Sequence, residues 1–534
     1  MIQDPGSPTP ISPPPPAPPA RIKGTLAAAS LAVMVAQVAN ALPGALNGVF
    51  QQTFNTVGSQ LTWITAAFMI PVVVFELTFG VLGDRFGHRK LVAGGSALMV
   101  LGSIVCTFSP TIEWMWAGSA LNGLGAGAVF PATLALVAAV ARTPKERIRG
   151  IAVWAGFLSA GSALSPLLGG VFAGFGWWRG AYAAVALISL AAVVITLLRA
   201  QESAKQEGRR PDLWGQTTFA IGLILVLFGL VQGPEDGWTA THVIASLVIG
   251  AVMLVVFVAI ELRVESPLLD LRLFRNRQFT VSSIVAVVGM FAFLGACFST
   301  SMWLGPVQHQ DGLYIGLLFL LLQGPAFFLI PVIHRLQERI AARWLLTVGF
   351  LSMGAGAFLA SQNDVANRDV TAFVLPSLLV GIGFALTLSP MTAIAVTSVP
   401  RHQTGMASAT TNLLRDLGFA LGPVLVGAIA LSAAGSQLVP ALQASGLPAD
   451  QLGPALGIAE AGGPIALNSL PQGVPGSAAH EIALQALGNG FSLAFTVVAL
   501  AALAAALLSL IGLHGIRNEH QQAAEPEATA DLVH

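Results

Sequence analysis

The sequence predicts an all-α polytopic membrane protein, and three observations predict it. The chain of 534 residues is 55% hydrophobic and only 9% Asp, Glu, Lys and Arg, with a mean hydropathy of +0.76. So little charge cannot cover the surface of a soluble chain of this length. Apolar runs of about 18 residues or more recur along it, each long enough to cross roughly 30 Å of hydrocarbon as a helix. The runs are continuous rather than alternating, so helices and not barrel strands satisfy the backbone in lipid.

Fourteen candidate spans follow in order. Residues 1–23 lead in as a Pro-rich tail, expected to be disordered. Basic residues begin only at Arg21 and Lys23, and the next apolar run is of full span length, unlike a signal peptide. Six spans lie near 24–46, 61–82, 91–108, 114–137, 150–175 and 180–198. Two more, near 214–231 and 243–261, stand between charged stretches. The last six lie near 279–303, 313–333, 344–360, 372–395, 405–431 and 491–513. With the N-terminus inside, 22 of the 25 Lys and Arg fall on the cytoplasmic side, Arg179 and Arg368 fall outside and Arg415 lies within a span. Both termini are therefore expected in the cytoplasm. Residues 434–486, rich in Gly, Pro and Ala, are expected to form a long, flexible extracellular loop.

The residues exclude several chemistries. Cys106 and Cys297 are the only cysteines and both sit in apolar runs, so neither a disulfide framework nor a metal framework is expected. Nine scattered histidines make no metal site, and there is no P-loop or nucleophile triad. An enzyme, a cofactor and a nucleic-acid partner are not expected.

The chain repeats itself. GSALSPLLGG (161–170) matches GFALGPVLVG (418–427), with Gly and Pro at the same offsets. GVLGDRFGHR (80–89) aligns with HRLQERIAAR (334–343), placing Asp84, Arg85 and Arg89 over Glu338, Arg339 and Arg343. The offsets, 257 and 254, report one duplication, the architecture of secondary transporters.

The charged knot GVLGDRFGHRK (80–90) reads as a tight helix–loop–helix at the cytoplasmic face. Gly80 is expected to let its span approach a neighbour closely, and Gly87 to permit a turn that a side chain would oppose. Asp84 offers an acceptor to a basic group or a helix N-terminus, while Arg85, Arg89 and Lys90 follow the positive-inside preference. A topology anchor is the plainer reading of the same residues.

This stretch resembles the signature between the second and third helices of the major facilitator superfamily. PLLDLRLFRNRQF (267–279) and TGMASATTNLLRDLGFALG (404–422), with the fourteen spans, resemble its fourteen-span drug:proton antiporter branch. The resemblance covers roughly residues 24–515. It implies two six-helix bundles (24–200 and 266–515), two inserted helices (201–265), a cytoplasmic tail (516–534) and export of lipophilic, often cationic compounds by proton antiport. It also implies a conformational latch in which Asp84 meets the start of the thirteenth span, near Thr404 and Gly405. GSALSPLLGG resembles the branch's antiporter motif, with Gly161, Pro166, Gly169 and Gly170 in place and Ser165 where a glycine is usual; ordinary small-residue packing reads the same stretch.

Two positions depart from the branch. Met34 stands where an acid usually precedes the ALP tripeptide, and Ser119 stands where a buried arginine is usual, followed by Asn122 and Gly123 in place of a Gln-Gly pair. Attention therefore passes to the remaining intramembrane charges. Glu76 lies about six residues, roughly 9 Å, inside its span. Ionised and facing lipid it would cost about 2.5 to 3.5 kcal/mol, so it is expected to face a cavity or partner, or to carry a proton. Structural carboxylate, proton carrier and substrate contact all stay open for it. Arg415 and Asp416 lie near mid-membrane. As sequence neighbours on a helix they are not expected to pair simply with each other; Asp416 is expected to meet Asn412, and Glu76 is a candidate partner for Arg415. Gln37, Asn40, Asn122, Trp154 and Gln323 are candidate cavity residues for a small lipophilic substrate.

The reading is an exporter working by alternating access, with protons as co-substrate and membrane lipid as surroundings. A facilitator or lipid-metabolite transporter without classical coupling stays open. A non-transporting receptor is disfavoured, because a static scaffold needs no latch.

Overall fold

The computed structural model describes residues 19–57, 59–141, 143–203, 212–264, 267–399 and 404–514. Among the described residues there is no strand. Among them, thirteen helices are long and apolar enough to cross a membrane, or up to fourteen if a bent pair counts as one span. Helix α1 (Pro19–Ala41) begins inside the segment expected as tail, with its proline at the first turn, where the missing N–H is harmless. The first span is two helices: Pro43 opens α2 (Pro43–Phe54), which ends at Asn55 in a left-handed cap, φ 51°.

The next helices are α3 (Gln60–Phe86), α4 (His88–Thr107), α5 (Ile112–Val140), α6 (Pro144–Gly174) and α7 (Arg179–Arg199). Then come α8 (Leu213–Asp236) and α9 (Thr241–Glu261). The second half opens with α10 (Arg277–Met302), whose end loosens into a π-turn, Trp303–Val307. The tenth span is broken into α11 (Gly312–Gln323), α12 (Pro325–Phe328) and α13 (Ile330–Arg339) and bends by 44°; Pro325 and Pro331 each remove a backbone donor there. Helices α14 (Ala342–Ser361), α15 (Val374–Thr397), α16 (Thr404–Ala444), α17 (Ala449–Asn468) and α18 (His480–Gly512) complete the chain.

The flexible loop expected over 434–486 is a correction. Most of it is helix: the end of α16, all of α17 and the start of α18. Its Ala and Leu recur at helical spacing, and α17 buries Ala455, Ala459, Ile465 and Leu467. Asn468 then ties it to the π-turn by donating to the carbonyls of Pro306 and Val307, both at 3.1 Å.

The two halves pack alike. Helix α6 lies on α1, where a Cβ at Gly161 would strike the Met34 carbonyl and Ser165 donates to the Val38 carbonyl at 2.7 Å. Helix α16 lies on α10 in the same way, with Gly418 against the Val287 carbonyl and Gly422 against Phe291 and Gly295. The inserted α8 covers the seam between α3 and α16. It is tied to α3 at both ends, by Ser59 to Glu235 and Trp63 to Gln232 (2.6 and 2.9 Å) and by Gln216 to Val74 (2.6 Å). Helix α9 leaves Val248, Val252 and Val255 exposed, an outward face suited to lipid.

Candidate functional site

The halves touch at one end of the molecule and part at the other. At the end away from the charged knot, Gly48 and Gly305 meet backbone to backbone, so close that a Cβ on Gly48 would lie 2.7 Å from Gly305 Cα. Gly170 packs on Gly312 and Gly316, Asn47 donates to Ser301 at 2.9 Å, and Ser301 donates to the Gly44 carbonyl at 2.6 Å. Toward the knot end, a Cβ on Gly80 or Gly156 would meet nothing within 4 Å, and Phe157 is exposed. The close approach expected at Gly80 is thus not made: a side chain there would meet open space.

Between these ends lies a narrow cavity of about 60 Å³, room for a few waters and not for a drug-sized molecule. Gln37 and Asn40 line it from α1, one turn apart, and Gln323 reaches it from α11. Phe293, Phe384 and Phe419 form the opposite wall; the first two stack at 3.7 Å between centroids, and Phe419 stands 6.4 Å from each. Amides on one side and aromatic faces on the other suit an apolar molecule with a polar or cationic group. Asn122 and Trp154 are corrections. Asn122 accepts from Ser103 at 3.0 Å inside the first half, and Trp154 donates to Thr133 at 3.0 Å, pinning α6 to α5. Neither lines this cavity.

The buried charges lie between the cavity and the knot end. Asp416 sits one turn before Phe419 on α16, and Glu76 is eleven residues, about 16 Å, from the cavity-lining Thr65 on the same face of α3. Both are 5% exposed. Contrary to the helix-face expectation, Arg415 does pair with its neighbour: Nε lies 3.3 Å from Asp416 Oδ1. The guanidinium is long enough to fold back along the helix, which the spacing rule for shorter side chains does not capture. Glu76 approaches the Asp416 carboxyl across the seam and feels Arg415, while its Oε2 is buried without a hydrogen bond. Two carboxyls and one guanidinium therefore share a site shielded by α8.

The knot is held by residues that the sequence reading missed. Gly87 has φ +104°, and a Cβ there would lie 2.5 Å from the Glu202 carboxylate. Glu202 accepts from the Arg89 N–H at 2.9 Å, and Ser203 meets the His88 backbone and ring at 3.2 and 2.9 Å. Arg89 in turn donates to the carbonyls of Thr196 and Leu197 at the end of α7. Asp84 lies 3.5 Å from His88 and is partly exposed. Arg85 rests on the Phe86 ring, 5.4 Å to its centroid. Residues 400–403, and the Thr404 and Gly405 side chains that Asp84 was expected to face, lie outside the described residues, as does the Glu338 side chain. An acid three residues after Arg199, at the basic end of the sixth span, was the available signal for Glu202.

The motif helix α6 presents two faces. Gly161, Ser165 and Gly169 lie against α1 and α2, while the Pro166 carbonyl and Gly170 meet Gly316 and Gly312 of α11. It is the plate along which the halves touch.

A family model described as Major Facilitator Superfamily matches residues 29–423. The chain belongs to the Major Facilitator Superfamily. Among its relatives, the multidrug resistance protein Stp of Mycobacterium tuberculosis (strain CDC 1551 / Oshkosh) is 30% identical over 394 residues, 74% of this chain and 73% of that protein. The tetracenomycin C resistance and export protein of Streptomyces glaucescens is 26% identical over 492 residues, 91% of this chain and 90% of its own. A solved bacterial homolog of the human lysosomal transporter Spinster, inward-facing and unoccupied, superimposes with TM-score 0.65 at 14% identity, covering 93% of this chain and 98% of that one. This superfamily member is thus a multi-pass membrane transporter of small molecules and not an enzyme.

Proposed function

We propose that this transporter exports small lipophilic, often cationic compounds by alternating access along the seam between residues 24–200 and 266–515, in exchange for protons. The observation that carries the reading is the seam itself: an amide-and-aromatic cavity closed by glycine contacts at one end and parted at the other. Two of its relatives, a multidrug resistance protein and a tetracenomycin C resistance and export protein, support drug-like cargo. The basic residues support an orientation with the knot and both termini in the cytoplasm, so that the parted end faces inward in the plasma membrane. The cavity must widen to load cargo, and parting the stacked Phe293 and Phe384 would widen it.

Glu76 and Asp416 carry the coupling in this proposal. Two carboxylates beside one guanidinium leave one unbalanced negative charge in a water-poor site, and a single proton restores balance. Because Glu76 belongs to one half and Asp416 to the other, gaining or losing that proton changes what holds the seam together. Asp84 serves as latch, meeting the start of α16 when the knot end closes. Asp84→Asn that left both flux and the inward/outward balance unchanged would remove that role.

The test uses proteoliposomes with a pH-sensitive dye inside and ethidium or methyl viologen as cargo. Cargo-driven proton movement is expected in wild type and should fall more than tenfold in Glu76→Gln and in Asp416→Asn, with folding intact. A second reading, transport without proton coupling, is favoured by Met34 and Ser119 standing where ionisable groups are usual. It predicts cargo flux without proton movement, unchanged in Glu76→Gln.

A further inference from the structure

A second cavity, of about 350 Å³, lies at the end of the molecule away from the knot, outside the Gly48–Gly305 contact. Both halves build it. Gln51 and Gln52 come from α2, His309 from beyond the π-turn, Asn468 and Ser469 from the end of α17 and His480 from the start of α18. The wall is polar yet has no carboxylate, lysine or arginine. Its volume is at the small end of the range of ligand pockets, roughly 300–1,000 Å³.

Two side chains in this wall bury acceptors that no donor meets. Gln51 and Asn468 are each 1% exposed, and Gln51 Oε1 and Asn468 Oδ1 have no hydrogen-bond partner. The Asn468 amide cannot simply turn over, because its Nδ2 already donates to the Pro306 and Val307 carbonyls. A buried amide oxygen left unpaired loses its hydration without compensation, so the site is built for something that brings donors.

We infer that this cavity is a ligand site, separate from the central one, for a small neutral molecule donating at least two hydrogen bonds, as paired hydroxyls of a sugar or polyol do. The absence of a carboxylate from the wall disfavours a cation, and the absence of a guanidinium or ammonium disfavours an anion. An imidazole in its neutral form carries one donor and one acceptor, as a hydroxyl group does. Burial pushes the His309 imidazole down from its ordinary value, helped by His480 and Arg368 nearby and opposed by the hydrogen bond the ring donates to the Asn468 backbone carbonyl, so it stays uncharged at neutral pH. The site stands whether or not the central cavity carries cargo. Its hydroxyls have two sources, a hydroxylated part of departing cargo or a polyol from the surrounding solution.

The test is saturation-transfer NMR on the full-length protein in lipid nanodiscs, with methyl α-glucoside and myo-inositol as probes. Wild type should give a saturable signal that falls at least fivefold in Asn468→Leu. Ser469→Trp, which fills the cavity from its exposed rim and leaves the buried amides in place, should lower it equally. Gln485→Leu, an exposed amide on α18, should leave it unchanged. No saturable signal in wild type, or equal signals in wild type and Ser469→Trp, would overturn the site. Ethidium efflux measured in parallel separates the sources. Binding and efflux lost together in Ser469→Trp mark an exit site for cargo, whereas binding lost with efflux intact marks a site for an outside polyol.

Discussion

Helices α6 and α16 are the two copies of one element, and their comparison separates what duplication kept from what it did not. Each lays glycines on the first helix of its own half: Gly161 on Met34, and Gly418 on Val287, 257 residues later. Each reaches across to the second helix of the other half, Gly170 to α11 and Gly427 to Thr62 of α3. The contact at the far end joins equivalent residues, Gly48 and Gly305, as a two-fold axis requires, and that pair is also 257 apart. Asn55 and His309, 254 apart, both turn the chain in the left-handed region, φ 51° and 54°. The chemistry is not repeated. Where α16 has Arg415 and Asp416, α6 has Leu158 and Ser159; where α3 has Glu76, the aligned position on α13 is Ile330. Small residues preserve how the halves pack, while the buried charge sits on one copy of each helix.

The largest effect expected from breaking this symmetry is at its glycines. Gly161→Leu and Gly418→Leu should each drive a side chain into a backbone carbonyl, an overpacking of about 3 kcal/mol or more, and abolish monodisperse protein on size exclusion. A normal elution profile for either would show that its half can open where the other cannot. Next comes the unrepeated charge. Arg415→Met leaves Asp416 buried without its cation and should destabilise by about 3 kcal/mol. Thermal unfolding should register that loss, and Arg415→Met/Asp416→Leu should recover most of it.

The crossing glycines sharpen the comparison further. Gly170→Ala meets a backbone carbonyl, Gly312 O at 2.8 Å, and should slow efflux severalfold. Gly427→Ala meets the Thr62 hydroxyl at 3.0 Å, which can rotate aside, and should leave efflux within about twofold of wild type.

The smallest effect distinguishes Asn55 from His309. Burial disfavours the charged form of His309 in the folded protein. Acidification below about 6.5 therefore protonates the unfolded chain first. Stability is lost as the pH falls through that value towards the lowered folded one, and is level beyond it. His309→Asn, which gives the second half the residue of the first, should remove this part of the pH dependence, about 1–2 °C between pH 7 and pH 5. Identical pH profiles for wild type and variant would sink it.

The apolar runs made the fold legible because lipid leaves a spanning backbone no other solution. The duplication was legible from two short matches, and Gly87 announced its turn because few residues tolerate φ near +104°. Glu76, Arg415 and Asp416 stood out as charges in apolar runs. Which of them pair depended on side-chain reach and on how α3 meets α16, and spacing along one helix could not supply that. Trp154 and Asn122 looked equally polar from the sequence, yet both are consumed by contacts within the first half. Residues 434–486 read as loop because Gly and Pro are breakers in isolation, whereas docking on α16 and α18 stabilises α17 as a helix.

The sequence by itself determined that this chain crosses a membrane many times, repeats once and carries a charged turn at one face, since those follow from local apolarity and backbone freedom. Tertiary structure alone decided that Glu76 meets Asp416 across a seam, that Gly48 meets Gly305 at an axis, and that the central cavity is too narrow for cargo in this state. Those are contacts between residues more than 250 positions apart, set by how two bundles dock, and no local pattern encodes a docking angle.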